Sequence, residues 1–143
     1  MEISFHTQEV EMPTIDEELL SQWIEKVAAI HNKKVGEIAY IFCSDEVILE
    51  TNKQYLQHDY YTDIITFDYT LEDTISGDLF IGVETVASNA KKYQVSFKNE
   101  LHRVLIHGIL HLCDIDDKTP EQRETMEQEE NKALLLIKDY LTT

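Results

Sequence analysis

Asp63-Ile64-Ile65-Thr66-Phe67-Asp68-Tyr69 and Asp78-Leu79-Phe80-Ile81-Gly82-Val83 are two short runs rich in β-branched and aromatic residues. A polar stretch ending at Ser76-Gly77 separates them. Each run reads as a strand, and the intervening turn predicts that they pair as a hairpin. Towards the N-terminus, Ser44 starts a helix that runs through Val47, Ile48, Tyr55 and Leu56. Before it, Glu37 to Cys43 is apolar, rich in β-formers, and reads as a buried strand. Further back, Thr14 is the expected N-cap of a helix, with Glu17 as its reciprocal partner. Leu19, Leu20, Trp23, Ile24, Val27 and Ile30 form that helix's apolar face. Ile3-Ser4-Phe5 opens the chain as a short strand.

Towards the C-terminus, a helix is expected around Thr85–Tyr93. Another starts near Ser96 and carries Leu101, Val104, Leu105, Ile109 and Leu112. The last begins at Thr119-Pro120, where Thr caps, Pro takes its favoured first position, and Gln122 closes a capping box. Its core face is Met126, Leu134, Ile137 and Leu141. Strands and helices interleave around one hairpin. That predicts an α/β (α+β) domain over residues 1–143, a small mixed sheet covered by about five helices.

The chain has 143 residues, 43% of them hydrophobic, with no repeat or low-complexity tract, and is long enough to bury a core. No basic segment followed by an apolar one suggests a signal peptide, and Ala133 to Ile137 is far too short an apolar run to span a bilayer. With two cysteines, Cys43 and Cys113, the expected compartment is a reducing cytoplasm. The net charge of −16 argues against nonspecific nucleic-acid binding and against anionic membranes. A polyanionic substrate would need a local cationic feature, and a divalent metal ion is one.

His107-Gly108-Ile109-Leu110-His111 carries the chemistry. On a helix, residues i and i+4 share a face, so both imidazoles can aim at one point. A third ligand must come from beyond the helix end. Asp117, six residues after His111, is the candidate, with Asp114 and Asp116 close by. This spacing matches the third ligand of the metzincin motif H-E-x-x-H-x-x-G-x-x-H, but Gly108 stands where a protease has its Glu base. Two histidines and a carboxylate with an open position suit zinc, one per chain. The same set serves non-haem iron, so other divalent transition metals also fit. Cys113 points away from His111 on a helix and reads as a buried small residue. Glu100 lies two turns before His107, with Arg103 between. Glu100 could orient a ligand or act as a base through water, whereas the simpler reading is an exposed Glu100–Arg103 ion pair. Trp23 reads as core. Tyr60-Tyr61 could stack bases or pack their loop. His6, His31 and His102 read as surface or helix-cap residues, and Glu121–Glu130 as a solvated helix face.

Taken together, these residues resemble the YbeY family of metal-dependent endoribonucleases, which act in bacterial ribosomal RNA maturation. The family's hallmark is H-G-x-L-H-L-x-G-x-D-H, and His107-Gly108, Leu110-His111-Leu112 and Asp116 match it. Upstream, Asn52, Tyr55, Thr62-Asp63 and Phe67 fall in register with the family's L-N-x-x-Y-R and T-[DN]-V-L-S-F segments. Gly77-Asp78 matches its G-D-I strand, Glu100 a Glu ahead of the histidines, and Met126 and Glu130 its trailing M-x-x-x-E. The resemblance runs from about Asn52 to Glu130.

There are three departures. Asp114 stands for a Gly, at a position where a left-handed backbone would cost Asp more than Gly but less than most residues. Asp117 stands for the third His. Leu56 stands for an Arg linked to catalysis, which removes a phosphate clamp. The candidates to substitute in substrate binding are His58, Lys53 and Arg103, the alternative being that the metal carries the electrostatics alone.

The resemblance implies a single-strand-specific, zinc-dependent endoribonuclease in late 16S rRNA 3′-end maturation and ribosome quality control. Its partners would be precursor rRNA and the small ribosomal subunit with its assembly proteins. The metal would polarise a phosphoryl oxygen, activate a bound water, or both. Two other readings stand beside it. A metallopeptidase would need a base that Gly108 lacks. A non-catalytic assembly factor with a structural zinc would need a fourth ligand, such as His58 or Asp114.

Overall fold

The computed structural model describes residues 2–56 and 62–141. Four strands, β1 (Glu2–Gln8), β2 (Lys34–Cys43), β3 (Ile64–Asp68) and β4 (Thr74–Gly82), form one sheet in the order β1-β2-β4-β3. β1, β2 and β4 are parallel, and β3 returns antiparallel to β4 with Ile64 opposite Ile81 and Asp68 opposite Gly77. Parallel pairing demands crossovers. The first is α1 (Glu17–Ile30), between β1 and β2. The second passes through α2 (Asp45–Thr51), a π-helical turn at Asn52–Leu56, and the β3–β4 hairpin. After the sheet come α3 (Val83–Lys92), α4 (Phe97–Leu112) and α5 (Pro120–Leu141). The mixed sheet, the embedded hairpin and the five helices agree with the fold class read from the sequence.

Side chains alternate across the sheet and divide the core in two. Ile38, Tyr40, Phe42, Ile75, Leu79 and Ile81 face α1 and α4 in the main core. Cys43, Ile48 and Ile65 form a smaller cluster on the other face, with Phe67 and Phe80 packed against it. Helix α4 is apolar almost all round, burying Leu101, Val104, Leu105, Ile106, Ile109, Leu110 and Leu112. A helix of that kind belongs in the centre of a domain. It lies very close to the sheet at Gly108, where a Cβ would collide with Leu79 and come 2.9 Å from Ile64 Cδ1. Any side chain at position 108 would therefore force Leu79 and Ile64 to shift. Two buried bonds tie the layers together. Tyr40 donates its hydroxyl to Leu105 O at 2.8 Å, and Trp23 Nε1 donates to Ala133 O at 2.8 Å.

Several local expectations hold. Ser44 and Ser96 cap α2 and α4, accepting from Val47 N and Asn99 N. The α5 capping box is complete, with Gln122 N donating to Thr119 Oγ1 and Thr119 N donating to Gln122 Oε1, both at 3.1 Å.

Others need correction. The cap of α1 is Asp16, which accepts from Leu19 N at 3.1 Å, and not Thr14 with Glu17. The helix starts later, so Glu17 sits in its first turn, where its charge suits the helix dipole. Ile30, the last residue of α1, is 56% exposed, and Ala28 completes the buried face instead. Val83 begins α3 and does not end a strand. His102 is buried against Trp23, ring centroids 5.7 Å apart, and is not a surface residue. Met126, Leu134 and Ile137 are buried as expected, while the side chain of Leu141 lies outside the described residues.

Candidate metal centre

Helix α4 delivers His107 and His111 to one face, their rings 4.7 Å apart between centroids and nearly perpendicular at 84°. The chain must then reverse to return a third group. Cys113 caps α4, and Asp114 takes φ 72°, the left-handed conformation. Asp114 N bonds His111 O, and Ile115 N reaches back to Leu110 O at 3.0 Å. This is a Schellman ending, and Ile115 packs on the core to seal it. The reversal carries Asp117 over the histidines. Its Oδ2 lies 3.4 Å from His107 Nε2 and its Oδ1 lies 3.5 Å from His111 Nε2. One donor atom from each of the three residues lies within 4.8 Å of the other two.

Of the neighbouring acids, Asp116 lines the same cleft but is not in this group, and Asp114 turns away to Lys33 Nζ at 3.4 Å. Cys113 is buried, as its position on the helix implied.

Glu130 of α5 completes the arrangement. It is buried, its Oε2 lies 2.6 Å from His107 Nδ1, and its Oε1 accepts from Arg103 Nη1 at 2.8 Å. A carboxylate only accepts, so Nδ1 must carry the proton. That leaves the Nε2 lone pair facing His111 and Asp117, the tautomer a metal ligand needs. Burial pushes the His107 imidazole down, but the bond and charge of Glu130, aided by Asp117 and Asp63, outweigh it and raise its pKa. His111 goes the other way. Burial and the charge of His107 lower its pKa, against the pull of Asp117 and Asp116. Two imidazole nitrogens and one carboxylate, with the rest of the cleft open, fit a zinc-type ion with three protein ligands.

Two more carboxyl groups face the cleft. Glu100 is only 4% exposed, and burial, then the nearby Asp63 and Glu130, raise its pKa against the pull of Arg103. Asp63 is also raised by burial and by Glu130, with His107 and backbone N–H groups pulling it down. The exposed Glu100–Arg103 ion pair is thus corrected, because Glu100 is buried and Arg103 spends its guanidinium on Glu130 and on Asn131 Oδ1, 2.8 Å away.

Glu130 and Asp63 were not singled out as site residues from sequence. A signal for Glu130 was present. It falls on the stripe Met126, Glu130, Ala133, Ile137, whose other members are buried apolar side chains. His58, Tyr60 and Tyr61 lie outside the described residues, as does the side chain of Leu56.

Fold and site together define a class, an α/β protein with a two-histidine, one-carboxylate metal-ligand set in an open cleft. The profile of the family described as Endoribonuclease YbeY matches residues 2–138, and the chain belongs to that family. It is 63% identical over 135 residues to the Endoribonuclease YbeY of Phocaeicola vulgatus, covering 94% of this chain and 98% of that one. Against the Bacteroides thetaiotaomicron protein of the same name it is 58% identical over 136 residues, with 95% and 99% covered. Among solved structures, it is similar to the solution structure of TM1509 from Thermotoga maritima. The TM-score is 0.70 at 25% identity, covering 99% of this chain and 92% of that one.

Proposed function

We propose that this protein is a single-strand-specific, metal-dependent endoribonuclease acting in the cytoplasm on precursor ribosomal RNA. Its place is late 16S rRNA 3′-end maturation and ribosome quality control, in contact with the small ribosomal subunit and its assembly proteins. The observation that carries the metal dependence is the convergence of His107, His111 and Asp117, in a chain from an endoribonuclease family. These three residues would hold one zinc ion per chain. Such an ion supplies Lewis acidity towards a phosphoryl oxygen and lowers the pKa of water.

The protein's own groups do the rest. Glu130 fixes the ring plane and tautomer of His107, and Arg103 holds the Glu130 carboxylate in place. Arg103 therefore acts chiefly through Glu130. Glu100, beside Asp63 in a poorly solvated part of the cleft, holds or moves a proton at its carboxyl oxygens. Burial raises its pKa, which suits a group that takes up and releases a proton. The cleft is open, as an extended single strand requires, and Asp114, paired with Lys33, is poorly placed to close the site as a fourth ligand.

The test measures metal content of the wild type and of His111→Ala, paired with cleavage of a ribosomal RNA precursor fragment. The expected result is near-stoichiometric metal and cleavage in the wild type, both lost in the variant. Metal without cleavage would move the assignment to a structural zinc in an assembly factor. Absence of metal from both proteins would sink the reading.

A further inference from the structure

The cleft has a substrate problem. The chain carries 28 acidic residues against 12 Lys and Arg, and Asp68, Asp116, Glu127 and Glu130 all line this cleft. Beyond a metal ion held by His107, His111 and Asp117, an RNA strand needs uncommitted cations there. Among the described residues, three cationic side chains line it, Arg103, Lys118 and Arg123. Arg103 is spent on Glu130 and Asn131. Lys118 and Arg123 are both exposed, and neither side chain makes an ion pair or hydrogen bond within the described residues. Arg123 stays unpaired although Glu127 lies one turn away on α5.

Both cations are held next to the metal-ligand set by the same reversal that delivers Asp117. Lys118 follows Asp117 directly, and Arg123 sits in the first turns of α5, its backbone N–H donating to Thr119 O at 2.9 Å. Several backbone donors of this corner are consumed locally. Lys118 N and Thr119 N both donate to Gln122 Oε1, and Gln122 N to Thr119 Oγ1. The charge offered to an anion here is that of the two side chains.

We propose that Lys118 and Arg123 form the phosphate-binding edge of the cleft and contact the backbone of single-stranded RNA beside the bond to be cut. The proposal rests on the endoribonuclease reading. It assigns to the α4–α5 corner the electrostatic role that Leu56 cannot fill. Contacts of this kind position the strand without reading its sequence.

The test compares the wild type, Lys118→Ala/Arg123→Ala, and the charge-matched control Lys26→Ala/Lys138→Ala, whose residues do not line the cleft. Affinity for a fluorescent single-stranded RNA is measured over a range of salt concentrations, with cleavage rates and zinc content in parallel. Each lost phosphate contact on a single strand lowers the slope of log K against log salt by about 0.7. The cleft variant should lose about 1.4 from that slope and bind at least tenfold more weakly at low salt. It should keep its zinc, with the cleavage defect in KM and not in kcat. The control should match the wild type. If wild type and cleft variant bind with equal slopes while the wild type cleaves, the phosphate-edge assignment is overturned and the nuclease reading stands. Equal losses in cleft and control variants would overturn it too, by reducing the effect to net charge. A wild type that neither binds nor cleaves RNA would overturn both.

Discussion

Asp114 shows how much one backbone angle can carry. Its φ of 72° reverses the chain after α4, and without that reversal Asp117 could not reach the histidines. A left-handed residue other than glycine costs about 1–2 kcal/mol, less for Asp. Partial compensation comes from Lys33, but the Asp114 side chain is 82% exposed and such pairs are worth at most about 1 kcal/mol. Asp114→Gly should therefore leave stability unchanged or raise it slightly, whereas Asp114→Val should lower it by about 1–2 kcal/mol. Urea unfolding of the three proteins checks this, and a valine variant as stable as the glycine one would show that the angle is not under strain. At this scale the sequence was most readable where chemistry and spacing coincide. The i, i+4 histidines, the acidic turn and the tolerance of Asp for a left-handed backbone all follow from residue type. Glu130 was not, because its carboxylate belongs to the site only through the packing of α5 on α4, and a string of glutamates on a helix reads as solvated until that packing is known.

Among the elements, α4 is the one on which site and core both depend. It turns His107 and His111 outward while pressing Gly108 onto Leu79 and Ile64, so ligand geometry and sheet packing are set by one helix position. Gly108→Ala should push the helix away from β4. The overpacking should cost about 1–3 kcal/mol even after the helix-propensity gain of alanine, and should weaken metal binding as the histidines move. Thermal unfolding of the apo protein with a zinc titration would read both. Unchanged stability would mean that Leu79 and Ile64 yield at no cost. Helix caps were legible where the cap chemistry is local, as at Ser44, Ser96 and Thr119. At α1 two polar residues compete, and the choice of Asp16 over Thr14 depends on where the crossover from β1 meets the sheet. The polar start of β4, Thr74 to Gly77, was read as turn because its strand character comes from pairing with β2 and β3.

For the whole molecule the decisive quantity is how proton uptake differs between folded and unfolded states. His102 is packed between α1 and the core, against Trp23, with burial and then Lys98 pushing its pKa from 6.5 down to about 4. The unfolded chain takes up this proton near pH 6.5 and the folded protein only near 4, so stability falls as pH drops between those values. At pH 5 the deficit relative to pH 7 is about 2 kcal/mol from this residue. Below pH 4 both states are protonated and the penalty stops growing. Asp63 and Glu100 work with the opposite sign. Their pKa values are raised on folding, so the folded state takes up protons first and gains stability as pH falls towards the ordinary carboxylate range. Protonating surface carboxylates on a chain of net charge −16 also relieves self-repulsion. Acid sensitivity between pH 7 and 5 should thus trace to buried imidazoles, His102 foremost and His111 with the same sign, and not to the acidic surface. Urea unfolding of wild type and His102→Gln at pH 7 and pH 5, on metal-free protein, separates the two causes. Any cost of the glutamine itself is common to both values, and it removes the titration. The wild type should lose about 2 kcal/mol more than the variant between the two pH values. Parallel losses would mean that His102 titrates normally in the folded protein, and that the acid response lies in another group, His111 first.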